Sequence, residues 1–256
     1  MRIGSFSTWA LVLGAVAFGA GCGDDGGGTG GGGGGDETSA GGAGSTTTGS
    51  ATTGTAGLEV PGGAGLPAKA PYPAGPYGIG INSTVQDFRF VGYTRPGEDR
   101  GDLELVALSD FYNPTGVEVF PDDGRAWAGK PKPKAIAVSV AAYWCAPCRQ
   151  EWQFDVPEQQ AELGPLGGEF LLLLSDGNDG GVPPVLSELD AWVSTYKVTA
   201  PSAMDPTLDF QSVWSSDAFP QNILIRTSDM RIMAKAGGVP TQSYWDQMRN
   251  ILVSSP

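Results

Sequence analysis

The 256-residue sequence contains no histidine and only three cysteines. Histidine is the commonest general base near neutral pH and the commonest protein ligand for zinc. Its absence excludes Ser-His-Asp and Cys-His hydrolases. Three cysteines without histidine also cannot form the usual four-ligand structural zinc site. The sequence therefore predicts neither a metal nor another bound cofactor.

Basic residues are scarce. Lys and Arg number 15 against 28 Asp and Glu, which gives a formal net charge of -13 at pH 7. Nucleic acids are bound through clustered Lys and Arg. The one local cluster, Lys130, Lys132 and Lys134, alternates with prolines and is typical of a solvated loop. A nucleic-acid partner is therefore not expected.

Bulky apolar residues are almost missing from residues 23–70, which consist mainly of Gly, Ser, Thr and Ala. Such a segment cannot bury enough apolar surface to offset the entropy lost on ordering. We therefore expect residues 23–70 to be a disordered tether that behaves as a random coil. The remaining residues, 71–256, are sufficient for one well-packed domain.

Residues 1–22 have the features of an export signal. Arg2 provides the positive start, and residues 9–18 form an apolar stretch that is too short to span a bilayer comfortably. The Gly-Ala-Gly-Cys run that ends at Cys22 resembles the lipobox of bacterial lipoproteins, although Gly19 stands where a larger apolar residue is usual. This resemblance implies a lipoprotein signal peptide, a lipid on Cys22, and a place in the cell envelope, facing the periplasm from the inner or outer membrane. An ordinary secretory signal, which would yield a soluble exported protein, is the alternative.

Strand and helix patterns alternate along the domain. Residues 135–142 form an uncharged apolar run, as expected of a strand covered on both faces, and residues 169–175 form a second. The spacing predicts a helix from Cys145 to Pro157 that continues through Leu163. The other predicted elements are strands at 83–91 and 103–108, a loop at 113–129, a helix at 185–196, a hairpin of 222–226 with 231–235, and a closing helix at 241–252.

Cys145 and Cys148 lie where the buried strand at 135–142 passes into the predicted helix. At a helix N-terminus, unpaired backbone N–H groups and the helix dipole stabilise a thiolate. A thiolate is the attacking species in disulfide exchange. The second thiol follows one turn later, close enough to attack the mixed disulfide and release a reduced substrate. The spacing therefore predicts thiol–disulfide exchange.

The run WCAPCRQE at residues 144–151 resembles the active-site run of the thioredoxin superfamily. Within that superfamily it is most similar to the TlpA/ResA-like branch of anchored bacterial thiol–disulfide oxidoreductases, of the redoxin/AhpC-TSA type. The resemblance extends over roughly residues 80–255 and implies a three-layer α/β/α sandwich with a mixed central sheet. The Leu-Ser-Asp-Phe run at 108–111 resembles the N-terminal β-hairpin extension of that branch.

On this resemblance, Cys145 is the nucleophile and Cys148 is the resolving thiol. Glu151 matches an acidic residue that in this branch lies near the cysteines and tunes their protonation. The alternative explanation for Glu151 is an acid favoured in the first turn of a helix. Ser139 stands where cytosolic-type thioredoxins carry a buried Asp, so that proton acceptor is missing. With Cys22 lipidated, Cys145 and Cys148 are left to pair.

The second family landmark is Phe219-Pro220, just before the predicted strand at 222–226. In thioredoxin-like folds a cis-proline at this point faces the redox pair, and the residue before it offers backbone hydrogen bonds to a bound peptide. Many relatives carry a small or β-branched residue there, whereas Phe219 would line the groove with an aromatic ring. The resemblance thus implies a substrate-binding surface formed by Trp144, Pro147, Phe219 and Pro220.

The implied activity is reduction of disulfides in exported cysteine-containing proteins. A membrane thiol–disulfide electron donor is the expected partner, and the protein is expected to be a monomer.

A peroxiredoxin-like peroxidase is disfavoured, because its peroxidatic cysteine follows a Thr or Ser by three residues, whereas Ala142 and Cys145 occupy those positions here. A binding module with a static disulfide remains the other alternative, since export favours stable disulfides. A loop this short would, however, stabilise the fold little.

Overall fold

The computed structural model describes residues 72–95, 100–214 and 218–254. The predicted signal peptide, the tether and Cys22 lie outside the described residues. In the part of the chain that is described, no helix is both long enough and apolar enough to cross a membrane.

A seven-stranded mixed sheet forms the centre of the domain. Its strands are β1 (Arg89–Tyr93), β2 (Glu104–Ala107), β3 (Ala135–Ala142), β4 (Gly168–Asp176), β5 (Ser202–Met204), β6 (Gln221–Arg226) and β7 (Arg231–Gly237). Their spatial order is β2-β1-β5-β4-β3-β6-β7. Strands β3, β4 and β5 are parallel, and all other neighbours are antiparallel. All eight residues of β3 are buried, as the uncharged run predicts.

The α-helices are α1 (Ala146–Gln150), α2 (Val156–Leu163), α3 (Leu186–Tyr196) and α4 (Gln242–Ser254). A π-helical turn, Glu151–Asp155, joins α1 to α2, and within it the N–H of Val156 donates to the carbonyl of Glu151. Pro157, in the first turn of α2, has no N–H to continue the α-helical ladder. The single helix predicted between Cys145 and Leu163 is therefore interrupted by this turn.

The two faces of the sheet are covered by different kinds of structure. The connections from β3 to β4 and from β4 to β5 place their helices on one face, and residues of α1 to α4 pack there against alanines and leucines of β3 and β4. The opposite face carries the 3-10 helices Leu108–Phe111 and Asp209–Val213 and the loop residues Phe120 and Trp127. The thioredoxin-like α/β fold with a mixed sheet is confirmed, with a second covering layer made of short 3-10 helices and loops.

The predicted N-terminal hairpin is present as β1 and β2. Strand β1 also pairs with β5, which attaches the hairpin to the central sheet. Gly92 is required at this junction, because a Cβ at that position would collide with the carbonyl oxygen of Ser202. The hairpin therefore extends the sheet on the β4 side of β3 from two strands to four.

The segment predicted as one strand at 83–91 is divided between two places in the sheet. Residues 82–85 lie along the outer edge of β7, where the N–H of Asn82 donates to the carbonyl of Ile232 at 2.7 Å and the N–H of Ile232 donates to Ser83 at 3.0 Å. A turn at Phe88 follows, and the chain then enters β1 on the far side of the sheet. The prediction of one continuous strand was therefore wrong, since the turn falls within a strand-like run of residues.

Candidate active site

Cys145 and Cys148 form a disulfide with their Cα atoms 5.3 Å apart. Cys145 is the N-cap of α1, and the backbone N–H of Cys148 donates to Cys145 Sγ at 3.0 Å. Cys145 is only 2% exposed and Cys148 is fully buried, whereas Ala146 and Pro147 between them are exposed. Because the N–H donor points at Cys145 Sγ, a negative charge on this sulfur would be stabilised.

Trp144 lies at the surface beside the disulfide, with 47% of the residue exposed. Its indole Nε1–H donates to Oδ2 of Asp176 at 3.0 Å. Asp176 ends the neighbouring strand β4, and its Oδ1 accepts from the N–H of Gly181 at 2.8 Å. This carboxylate therefore fixes the indole next to Cys145. Asp176 was missed at the sequence level; the available signal was an acidic residue that ends a buried strand paired with β3.

The Phe219–Pro220 peptide bond is cis and lies directly before β6, the antiparallel neighbour of β3. The ring of Phe219 lies 5.7 Å from that of Trp144 in an edge-to-face arrangement. It also lies 5.0 Å from the ring of Trp214, a residue that the sequence did not single out. The fold thus places Trp144 and Phe219 together beside the disulfide, with the buried Pro220 next in the chain and the exposed Pro147 within the first turn of α1.

Glu151 is fully buried behind the cysteine pair, one helical turn after Cys148. Its Oε1 accepts from the hydroxyl of Ser139 at 2.8 Å, and its Oε2 accepts from Nδ2 of Asn222 at 3.2 Å. Ser139 and Asn222 face each other in the β3–β6 register. The indole of Trp152 donates to the same Ser139 hydroxyl at 3.1 Å. Two neighbouring strands therefore hold one buried carboxyl group by a hydrogen bond to each of its oxygens.

Burial raises the pKa of Glu151 from 4.5 to about 7. The hydrogen bonds from Ser139 and Asn222 act in the opposite direction, and the charge of Asp155 adds a smaller upward effect. Desolvation penalises the charged form, so the proton is held to higher pH. Glu151 can therefore take up or release a proton near neutral pH at a position close to the cysteines.

We expect the free energy of unfolding to decrease as the pH rises through the range from 4.5 to about 7. Within that range the folded state keeps a proton on Glu151 that the unfolded state has lost, so folding is favoured at low pH and that advantage is lost above the folded pKa. The difference between the pKa of Glu151 in the folded and unfolded states corresponds to a change of about 3 kcal/mol in the free energy of unfolding. Urea unfolding of the wild type and of Glu151→Gln at pH 4 and pH 8 measures it.

Glu151→Gln is the matched reference, because glutamine has nearly the same shape and does not titrate. The stability of the wild type relative to this variant should fall between pH 4 and pH 8. A difference that stays constant over this interval would show that Glu151 has the same pKa in both states and would contradict the prediction.

Cys22 lies among the residues that the structure does not describe. Within residues 72–95, 100–214 and 218–254, no group of three or more His, Cys, Asp or Glu side chains is arranged to hold a metal ion.

Neither the family models nor the curated proteins that were searched match this sequence. Several solved structures do. A Chlorobium tepidum protein described as thiol:disulfide interchange protein DsbE has 17% identity and a TM-score of 0.48, covering 68% of this chain and 99% of its own. The thioredoxin domain of a Bacteroides vulgatus thiol-disulfide oxidoreductase has 13% identity and a TM-score of 0.46, with coverages of 68% and 99%. A secreted thiol-disulfide isomerase from Corynebacterium glutamicum has 19% identity and a TM-score of 0.45, with coverages of 67% and 86%. The strand order and connections of the chain itself identify the fold.

Proposed function

We propose that this protein is an exported, membrane-anchored thiol–disulfide oxidoreductase that reduces disulfides in exported proteins. The observation that carries the proposal is the position of the Cys145–Cys148 disulfide at the N-terminus of α1, with the N–H of Cys148 directed at Cys145 Sγ. This arrangement stabilises the sulfur that must act as nucleophile and as leaving group in disulfide exchange.

Reduction proceeds in two exchange steps. The thiolate of Cys145 attacks one sulfur of the substrate disulfide, whose S–S bond breaks, and the other substrate sulfur leaves as a thiolate. Cys148 then loses its proton and attacks Cys145 Sγ in the mixed disulfide. The second substrate sulfur leaves as a thiolate, and the Cys145–Cys148 disulfide forms. Two electrons have passed from the dithiol to the substrate.

Glu151 is the proposed acceptor of the proton that Cys148 must lose in the second step. Both residues are buried, and they lie one turn apart on the same helical segment. A pKa of about 7 suits a group that takes a proton and later releases it to solvent. Ser139 lacks a carboxylate, so Glu151 is the acidic group that this part of the chain provides.

Trp144, Phe219 and Trp214 form the proposed substrate-binding surface, with Pro147 and Pro220 beside them. The ring of Phe219 contacts the rings of both Trp144 and Trp214, and Trp144 is about half exposed. An extended peptide with apolar side chains next to its cysteine would pack on these rings. By the family resemblance, the backbone before Pro220 would hydrogen-bond to this peptide.

The envelope location rests on residues 1–70. We propose that the lipid on Cys22 anchors the protein and that residues 23–70 separate the domain from the membrane by on the order of 35–40 Å. A membrane thiol–disulfide carrier would reduce the Cys145–Cys148 disulfide again after each turnover. The protein would act as a monomer.

An equilibrium redox titration tests the function. The chain from residue 23 onward, which lacks Cys22, is equilibrated in thiol–disulfide buffers and followed by tryptophan fluorescence. A reversible two-electron transition near or below about -250 mV would support a reductase, and one near about -120 mV an oxidase. The absence of a reversible transition would refute both.

A static structural disulfide is the second candidate. The burial of both cysteines, 2% and 0% exposed, favours it, because an attacking sulfur must reach its substrate. The same titration separates the two: a structural disulfide would resist reduction at potentials that reduce an exchanging pair.

A further inference from the structure

The amide of Asn222 is bonded on one side only. Asn222 is 1% exposed, and its Nδ2 donates to Glu151 Oε2 at 3.2 Å. Its Oδ1 is buried and has no hydrogen-bond partner among the residues that the structure describes. A buried acceptor without a partner is unfavourable. The amide oxygen is thus an unused acceptor next to a titrating acid.

Ser139, the other partner of the Glu151 carboxyl group, is held as a hydrogen-bond donor to it. The indole N–H of Trp152 can only donate, and it donates to the hydroxyl of Ser139. Ser139 therefore directs its single proton to Glu151 Oε1. When Glu151 is protonated, Oε1 can remain the carbonyl oxygen that accepts this bond. The acid proton then belongs on Oε2, where it meets the N–H of Asn222, so that two donors face each other.

We propose that Asn222 is a positioning residue that serves Glu151 in both protonation states. Its Nδ2–H donates to the carboxylate, and after its amide rotates by about 180° its Oδ1 accepts from the carboxylic acid. An amide offers a donor and an acceptor of nearly equal shape, so the rotation exchanges one for the other without moving the strand. The inference rests on the proposed function. When Cys148 gives its proton to Glu151 Oε2, the amide of Asn222 rotates, and its Oδ1 accepts a hydrogen bond from the new acid O–H.

The other charged or titratable groups that face Glu151 do not replace this partner. Asp155 follows it in the π-helical turn and acts only through its charge. Tyr244 of α4 is buried, and its pKa is raised well above 10 by burial and by the charge of Glu151, so it stays neutral at physiological pH. Cys148 of α1 carries no proton in the oxidised protein. In that state Glu151 is the group that titrates near neutral pH.

The test is a side-chain NMR titration of the oxidised chain from residue 23 onward. The Nδ2H₂ protons of Asn222, assigned by their loss in Asn222→Leu, are followed together with the carboxyl carbon of Glu151 between pH 5 and pH 9. We expect the hydrogen-bonded amide proton to lose its downfield shift as the pH falls, with the same midpoint as the carbon. The change should be absent in Glu151→Gln. An amide that keeps its hydrogen-bonded shift on both sides of the midpoint overturns the inference.

Asn113 provides a matched control within the same chain. Its amide is also fully buried, but its Nδ2 donates to the backbone carbonyls of Lys132 and Pro133 at 3.1 and 3.2 Å, and these do not titrate. Its amide protons should not shift over the same pH range. If they shift together with those of Asn222, the change is general and the inference fails.

The kinetic consequence is measured separately. Asn222→Leu should slow the release of substrate from the mixed disulfide by about tenfold at pH 7, because proton acceptance by Glu151 loses its support. If Asn222→Leu is folded and its release rate is unchanged, the inference is overturned. The NMR readout needs no turnover, so an inactive protein with a coupled amide would refute the proposed function alone, whereas an active protein with an uncoupled amide would refute this inference alone.

Discussion

Replacing Cys145 by serine is expected to reduce the rate of protein-disulfide reduction by about 10³-fold or more, because the covalent route through the mixed disulfide is closed. Serine keeps the size of the side chain and can still accept the N–H of Cys148 as the N-cap of α1. The fold should therefore be retained. The measurement is the initial rate of insulin reduction driven by a thiol reductant, compared with the rate of that reductant alone.

Cys148→Ser is the companion variant that separates the two sulfurs. Cys145 can still attack in this variant, but no second thiol resolves the product, so a covalent adduct with the substrate should accumulate. Non-reducing electrophoresis would show the adduct, and Cys145→Ser should not form it. An adduct formed by Cys145→Ser in place of Cys148→Ser would reverse the assigned roles.

Removal of the carboxylate of Asp110 is expected to destabilise the domain by about 3–5 kcal/mol, since it leaves a buried guanidinium without its main partner. Arg125 donates to both oxygens of Asp110, at 2.6 and 2.7 Å, and the two side chains are 8% and 6% exposed. Asp110 lies in the 3-10 helix that covers the second face of the sheet. The free energy of unfolding of Asp110→Ala in urea measures the effect.

Asp123→Ala is the control for this ion pair. Asp123 also binds Arg125, at 2.8 Å, but its side chain is 19% exposed and its removal leaves the pair with Asp110 intact. We expect a loss below about 1 kcal/mol, as for a partly solvated ion pair. Equal losses in the two variants would show that the buried pair with Asp110 has no special weight.

The parts of the fold that could be predicted are those whose pattern is local. The uncharged run of β3 and the leucine run of β4 are buried over nearly their whole lengths, as their composition requires. The Trp-Cys-Ala-Pro-Cys run is contiguous, so Trp144, Cys145, Pro147 and Cys148 are together by chain connectivity alone. The position of Phe219 beside Trp144 follows once β6 is paired with β3.

The parts that could not be predicted depend on contacts between distant segments. Strand β5 has only three residues, too few to show a period, and its extended form is set by parallel pairing with β4. The residues before β1 have strand-like composition in both halves, and only the edge of β7 decides where the chain turns. Propensity cannot locate such a boundary.

In the site, the unpredicted residues are the supporting ones. Asn222 directly precedes the apolar run at 223–225 of β6, two positions after Pro220, and a polar residue beside that buried run was a usable signal. Ser139 was noted only for the acid that it lacks, whereas it donates to an acid from another element. Trp214 gave no local signal, because its contact with Phe219 arises from the fold.

The two edges of the sheet affect how neighbouring copies of the protein would interact on a membrane. One edge strand, β2, has four residues, and the other, β7, is hydrogen-bonded at Ile232, and at Met230 just before its start, by the chain at 82–85. Exposed strand edges are where copies of a protein join into larger sheets. Lipid-anchored copies confined to two dimensions, as proposed here, collide often, and short or occupied edges offer them little backbone to share. Anchored copies would then be concentrated on the membrane as separate redox centres, without pairing their sheets edge to edge.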